Sequence, residues 1–304
     1  MVMELKFSKY RKIFYTLSII LVSISLVNII YFGLNLAIDF TGGSVLTVSF
    51  ENEVPEISIV RSAIEQLDVG EFTLQTVGER SVSLKTKAID EATHQQIVTT
   101  IESLGEIEQG SEGFESIGPV IGKELKQKTI VVLIVALLAI LLYIAMSFRK
   151  VSKPVKSWVY GVTSIIALFH DVLITLGILI ILGRFYSVEL TIPIVTAFLT
   201  IFGYSINDSV VVFDRLRENL GKSRGEDFNK VVDKSLNQSL TRSINTSFTT
   251  MLALLAIFFF GGASLKYFSL ALLIGIGLGT YSSLFLATPL LASYLKFKER
   301  KYRE

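Results

Sequence analysis

The chain has no cysteine, one tryptophan, two histidines and five prolines in 304 residues. Without cysteine there is no disulfide framework, no thiolate metal site and no cysteine nucleophile, although the compartment stays open. So few prolines, beside 21 glycines, exclude collagen-like and linker-like sequence. Charge is scarce as well: 18% of residues are Asp, Glu, Lys or Arg, against about 25% in typical soluble proteins. Disordered chains are rich in charge and poor in apolar residues, so that class is excluded too. No phosphate loop, Ser/His/Asp grouping or metal-ligand spacing occurs, and no enzyme activity, metal or other cofactor is expected.

What the chain does have is apolar sequence, 51% of it, with a mean hydropathy of +0.57. It is gathered in six runs, 13–32, 130–148, 158–182, 190–213, 244–262 and 268–292, which take up nearly half the residues. A helix needs about 20 mostly apolar residues to cross a bilayer core. The expected fold is therefore a six-span α-helical membrane protein. The first run is read as a retained anchor. It is longer than a signal-peptide core, and Asn35-Leu36-Ala37 after it lacks small residues at both cleavage positions.

Lys and Arg are retained on the cytoplasmic side of membranes. Lys6, Lys9, Arg11 and Lys12 precede the first run, and Arg149, Lys150, Lys153 and Lys156 follow the second. Segment 214–243 carries seven basic residues and the tail after 292 carries five, whereas the other two short loops carry only Arg184 and Lys266. Both termini are thus expected in the cytoplasm, with 33–129 outside. The expected organisation is a first span within 1–34, an outer domain at 35–129, a five-helix bundle at 130–295 and a basic tail at 296–304. Between 37 and 120 there are 15 acidic and four basic residues, a net charge of −11. An acidic exterior argues against nucleic acid, whose phosphates need clustered cations.

The outer segment alternates like an α/β module. Strands are expected at 44–50, 71–77, 80–86 and 106–116, with a tight Gly78-Glu79 hairpin. Helices are expected at 55–67, opened by Pro55, and from Asp90 as cap to about Leu104. That order is a ferredoxin-like βαββαβ unit. His94 falls in a polar stretch and reads as a solvated surface residue.

Ionisable groups in hydrocarbon are costly and mark partners or water paths. The third run holds His170-Asp171, and the fourth holds Gly203-Tyr204-Ser205-Ile206-Asn207-Asp208. Counting back from Phe213 puts Asp208 about 7 to 8 Å inside the membrane. Arg242 enters at similar depth on the next span, so the two are expected to pair; helical spacing aligns it with Ser239, Thr246, Thr249 and Ala253. A structural ion pair is the plain alternative. Asp214, Arg215, Arg217 and Glu218 read as an interfacial helix end. Gly275, Gly277, Gly279 and Ser282-Ser283 read as close helix packing. His170-Asp171 reads either as a packed polar pair or as a proton relay.

Several blocks together resemble the SecD/SecF family of protein-export subunits, within the RND superfamily. They are Asp39-Phe40-Thr41-Gly42-Gly43, Gly118-Pro119-Val120-Ile121-Gly122, Gly203 through Asn219, Asn237 through Arg242, Phe260-Gly261-Gly262 and Phe268-Ser269. The resemblance spans about residues 10 to 295, in order. It implies a subunit that, with SecD, draws on the proton gradient to help unfolded polypeptides through or out of the SecYEG channel. It further implies YajC and YidC as neighbours, Asp208 as protonation site with Asn207 and Tyr204 beside it, and Arg242 as its partner. Two other readings share the topology: an RND-type exporter of a small molecule or lipid, and a passive scaffold.

Overall fold

The computed structural model describes residues 6–147, 157–223 and 226–301. Glu4, Phe148, Arg149, Lys150, Lys153, Lys156, Arg224 and Arg303 lie outside the described residues, as do the side chains of Lys296, Lys298, Arg300 and Lys301. In chain order the elements are α1 (Phe7–Phe32), α2 (Ile38–Thr41), β1 (Gly43–Ser49), α3 (Ile57–Glu65), β2 (Phe72–Val77), β3 (Ser81–Thr86), α4 (Glu91–Glu102) and β4 (Gly113–Ile117). There follow α5 (Pro119–Ser147), α6 (Ser157–Tyr186), α7 (Ile192–Lys222), α8 (Phe228–Phe260), α9 (Ala263–Ser282), a π-helical turn (Ser283–Ala287) and α10 (Thr288–Lys301). The chain divides into two units, Leu36–Val131 and a second formed by Met1–Asn35 with Val132–Glu304.

In the smaller unit the strands form one antiparallel sheet in the order β2-β3-β1-β4, that of a ferredoxin-like split unit. Strand alternation drives one sheet face onto the two helices. Leu46, Val48 and Phe50 from β1 and its end meet Val60 and Ile64 of α3 and Ile97 and Ile101 of α4. Asp90 caps α4 by accepting the Thr93 N–H at 2.9 Å. Three local expectations need correction. The last strand begins at Gly113, because Gly110 turns the chain at φ 76° and residues before it contribute only a Phe50–Ile107 bridge. The hairpin loop runs from Gly78, at φ 68°, to Arg80, since Val77 pairs with Ser81. The helix expected to open at Pro55 starts at Ile57, two residues on.

His94 is also corrected: it is buried at 4% exposure. Its ring stacks on Phe114 of β4 at 3.9 Å between centroids, and Nδ1 lies 3.2 Å from Glu91. Nε2 is 2.9 Å from Glu112 but off the line of a hydrogen bond, so that contact is electrostatic.

Six helical segments among the described residues are long and apolar enough to cross a membrane. The sixth is interrupted midway by the π turn, closed in part by the Thr288 hydroxyl on the Ser283 carbonyl at 2.9 Å. α7 and α8 outrun their apolar stretches, and their polar extensions are zipped by Asn219, whose amide donates to Ser235 and Gln238 at 2.9 Å each. Small residues permit close helix approach. A Cβ on Gly177 of α6 would fall 2.5 Å from Ser25 of α1, and one on Gly275 of α9 would overlap Ile201 of α7. Gly277 faces open space and serves no such contact. α1 is held at both ends. Asp233 of α8 accepts the Ser8 N–H and hydroxyl, each at 2.8 Å. At the other end the Asn35 carbonyl takes the Leu190 N–H at 2.7 Å, and the Asn35 amide donates to Val188.

Candidate functional site

Ser205 and Asp208 are three residues apart on α7 and therefore share a face; both are buried against the sixth span. The Asp208 carboxylate accepts the Ser243 hydroxyl of α8 at 2.6 Å, and its other oxygen accepts the Ser283 hydroxyl. Tyr204, one turn earlier, donates to Ser247 of α8 at 3.2 Å. Asn207, next in sequence, turns roughly 100° away and is exposed on the chain taken alone.

A second carboxylate lies inside the same bundle. Asp171 of α6 has no exposed surface. One oxygen accepts the hydroxyls of Ser205 and Ser282, both at 2.7 Å, and the other faces His170 Nδ1 at 2.9 Å. His170 stacks on Tyr281 at 5.8 Å between centroids. The Tyr281 hydroxyl in turn donates to the Phe14 carbonyl of α1 at 3.1 Å. His170 Nε2 is buried without a hydrogen-bond partner among the described residues. Both aspartates are thus bound by hydroxyls from neighbouring helices, the arrangement a buried carboxylate requires.

Arg242 does not form the expected ion pair. It is exposed, and among the described residues its side chain has no ion pair with Asp208. The reason lies in which face α8 buries. Ser235, Ser239, Ser243 and Ser247, one every four residues, point inward, whereas Arg242, Thr246 and Thr249 lie outward. Packing along the i±4 ridge selects that serine row. Arg242 instead borders a cleft of about 360 Å³ lined by Val210, Val211, Asp214, Glu218 and Ser239 among others. Asp214 bonds Arg217 at 3.3 Å and Arg215 bonds Glu218 at 2.7 Å, along one helix as a polar helix end would.

The two glycine-bearing blocks, far apart in sequence, form one joint. Gly42 and Gly43 have φ of 72° and 133°, conformations that favour glycine. A Cβ on Gly42 would meet the Pro119 Cα at 2.7 Å, and one on Gly122 would meet the Gly42 nitrogen at 2.6 Å. Phe40 is buried beside them, Asp39 is half-buried, and Thr41 donates its hydroxyl to the Ala37 carbonyl at 3.1 Å.

Sequence reasoning missed Ser243, Ser282 and Ser283 as carboxylate donors. The four-residue serine spacing on α8 was a visible signal. The Ser282-Ser283 pair was visible only as small residues.

A family model for the protein export membrane protein SecD/SecF C-terminal region matches residues 96–297, and one for the SecD/SecF GG motif matches 32–54. The protein translocase subunit SecF of Thermobaculum terrenum is 42% identical, covering 94% of this chain and 92% of its own. That of Sebaldella termitidis is 36% identical, with 99% and 96% covered. The crystal structure of SecDF from Thermus thermophilus matches with TM-score 0.83 at 34% identity, covering 96% of this chain. This chain spans only 38% of that SecDF chain. SecDF in a super-membrane-facing form matches with TM-score 0.71 at 31% identity, covering 99% of this chain and 40% of its own.

Proposed function

Because the chain belongs to the SecD/SecF family of protein-export membrane proteins, we propose that, with a SecD partner, it uses the proton gradient to promote export of unfolded polypeptide through or out of SecYEG. It is an accessory membrane subunit of the Sec translocase, and its near-full-length relatives are protein translocase subunits. SecD is the partner that the SecDF likeness supports, and YajC and YidC are further neighbours on the family resemblance. Segment 36–131 faces outward and both termini lie in the cytoplasm of the inner membrane; the distribution of Lys and Arg supports this orientation.

The observation that carries the proton reading is Asp208, an ionisable group inside a span, bonded by hydroxyls of two other segments and, among the described residues, by no cation in direct contact. Gaining a proton on one oxygen makes that oxygen the donor in its bond, while the other oxygen still accepts. One proton crossing 100 mV releases about 2.3 kcal/mol, enough to bias a conformational equilibrium of a few kcal/mol. In this reading Arg242 acts on Asp208 electrostatically, without a direct bond. Its exposed strip with Thr246 and Thr249 is the polar surface we assign to the SecD partner, since an arginine facing lipid would be costly.

The test is Asp208→Asn in membrane vesicles loaded with a translocating substrate. Acceleration of export by an imposed proton gradient should fall at least tenfold while SecD still co-purifies. Undiminished proton-dependent export in the variant would overturn the reading.

A further inference from the structure

Ser282 and Ser283 are consecutive residues, about 100° apart around the helix, at the entry to the π turn. Each reaches a different carboxylate on a different span: Ser282 donates to Asp171 of α6 and Ser283 to Asp208 of α7. The two hydroxyls share a second feature. Ser282 Oγ also lies 3.2 Å from the Gly279 carbonyl, and Ser283 Oγ lies 3.1 Å from the Thr280 carbonyl. A serine hydroxyl has one proton to donate, so each must choose between a carboxylate and the backbone of its own preceding turn.

We propose that Asp171 is a second proton-binding site, coupled to Asp208 through the Ser282-Ser283 pair. When a carboxylate is charged, its serine donates to it. When that carboxylate takes a proton, the carboxyl O–H donates to the serine oxygen, and the serine hydroxyl swings to the carbonyl three residues back. No heavy atom needs to leave contact distance, yet the last turn of α9, which leads into the π turn, now carries an extra acceptor load. Because both serines load the same turn, the state of one carboxylate is felt at the other. Ser205 adds a second link, since it donates to Asp171 one helical turn from Asp208.

Protons reach Asp171 through His170, whose Nε2 is free of partners among the described residues. A proton added at Nε2 is matched by one released from Nδ1 to Asp171 Oδ1, leaving the other neutral tautomer of the ring, and a half-turn of the carboxyl group then brings that O–H to Ser282 on the opposite side. The remaining titratable neighbours are Tyr281 of α9, stacked on His170, Tyr204 and Asp208 of α7, and Arg242 of α8. α1 reaches the site through Ser18 and the Phe14 carbonyl, which hold the Tyr281 hydroxyl. The π turn itself contributes only uncharged side chains. Such turns inside α-helices occur frequently at functional sites.

This inference rests on the proton reading of Asp208, and its test separates the two. Infrared difference spectra of the full chain in lipid vesicles follow the C=O bands of protonated carboxyls as pH is varied. Two bands are expected, one lost in Asp171→Asn and one in Asp208→Asn, titrating in two steps separated by more than about one pH unit. In Asp208→Asn the midpoint of the Asp171 band should move by about one pH unit, tenfold in proton affinity. Ser282→Ala plus Ser283→Ala should reduce that displacement severalfold with both carboxyls still present. The double serine variant also keeps the test valid should Asp171→Asn fail to fold. His170→Gln should slow deuterium exchange of the Asp171 carboxyl, and exchange at the wild-type rate overturns the relay. An Asp171 band that never titrates, or one whose midpoint ignores Asp208→Asn, overturns the coupling and leaves the Asp208 reading intact. Coupled bands in a chain whose export ignores Asp208→Asn would instead sink the export reading.

Discussion

Phe50 and Asp171 are equally removed from solvent, at 1% and 0% exposure, yet they belong to interiors of opposite chemistry. The unit Leu36–Val131 buries Leu46, Val48, Phe50, Ile64 and Ile97 and leaves acids outside, as water demands. The helical unit reverses this. Ile13, Ile30, Phe248 and Phe260 lie on its outside, while Asp171, Asp208, His170 and a row of serines lie within. Lipid tails solvate leucine as well as another helix does, so apolar burial drives little association there. Hydroxyl-to-carboxylate bonds and close glycine contacts specify the packing instead. One chain thus obeys two solvation rules, and each interior should fail in its own way.

The largest contrast comes from placing a charge in the wrong interior. Val60→Asp puts an unpaired carboxylate into the α/β core and should cost more than about 4 kcal/mol. Hydrogen exchange on the full chain would show protection lost throughout 36–131, while the spans keep theirs. Truncation of one aromatic type in both settings comes next. Phe50→Ala should destabilise the α/β unit by about 3–5 kcal/mol, and Phe248→Ala, 59% exposed, should change helix-bundle stability by less than about 0.5 kcal/mol. Equal losses in denaturant titrations would break the comparison. At the glycine joint, Gly42→Ala introduces both a strained φ and an overlap with Pro119, and should cost about 1–3 kcal/mol, read as faster exchange of the β1 amides.

The smallest effect is at Asp90, where the Thr93 side chain and then its backbone N–H hold the carboxyl below the usual aspartate range. A carboxyl lowered on folding contributes stability above its unfolded pKa, and that contribution fades as pH falls through the lower folded value. Protection of the first α4 amides should therefore decline on acidification from about pH 5 downward. Asp90→Asn should keep the cap and flatten that acid dependence.

The six spans were legible because bilayer thickness sets a length that few soluble helices reach. The sheet order was legible because one-sided burial writes a period of two into β1 and β3. His94 was not, because its burial comes from Phe114, twenty residues on, whose ring covers an otherwise polar stretch. The cost of a charge in lipid singled out Asp208 and Asp171 without the structure. Their donors depend on how α8 and the sixth span are rotated, and local sequence barely encodes rotation. Arg242 drew the polar face of α8 to the wrong side for the same reason: opposite charge at equal depth suggests a pair, whereas the helix buries its serine row. The π turn left no trace in hydropathy at all.

The first span gains a mechanical meaning from its two anchored ends. A helix of 26 residues is about 39 Å long, and this one is bolted to Asp233 at its start and to the Val188–Leu190 loop just past its finish. It is a strut, not a tether. It cannot slide or slacken without breaking bonds at one bolt or the other. A shift of α8 is therefore delivered, along a rigid rod, to Asn35, the last residue before the α/β unit begins.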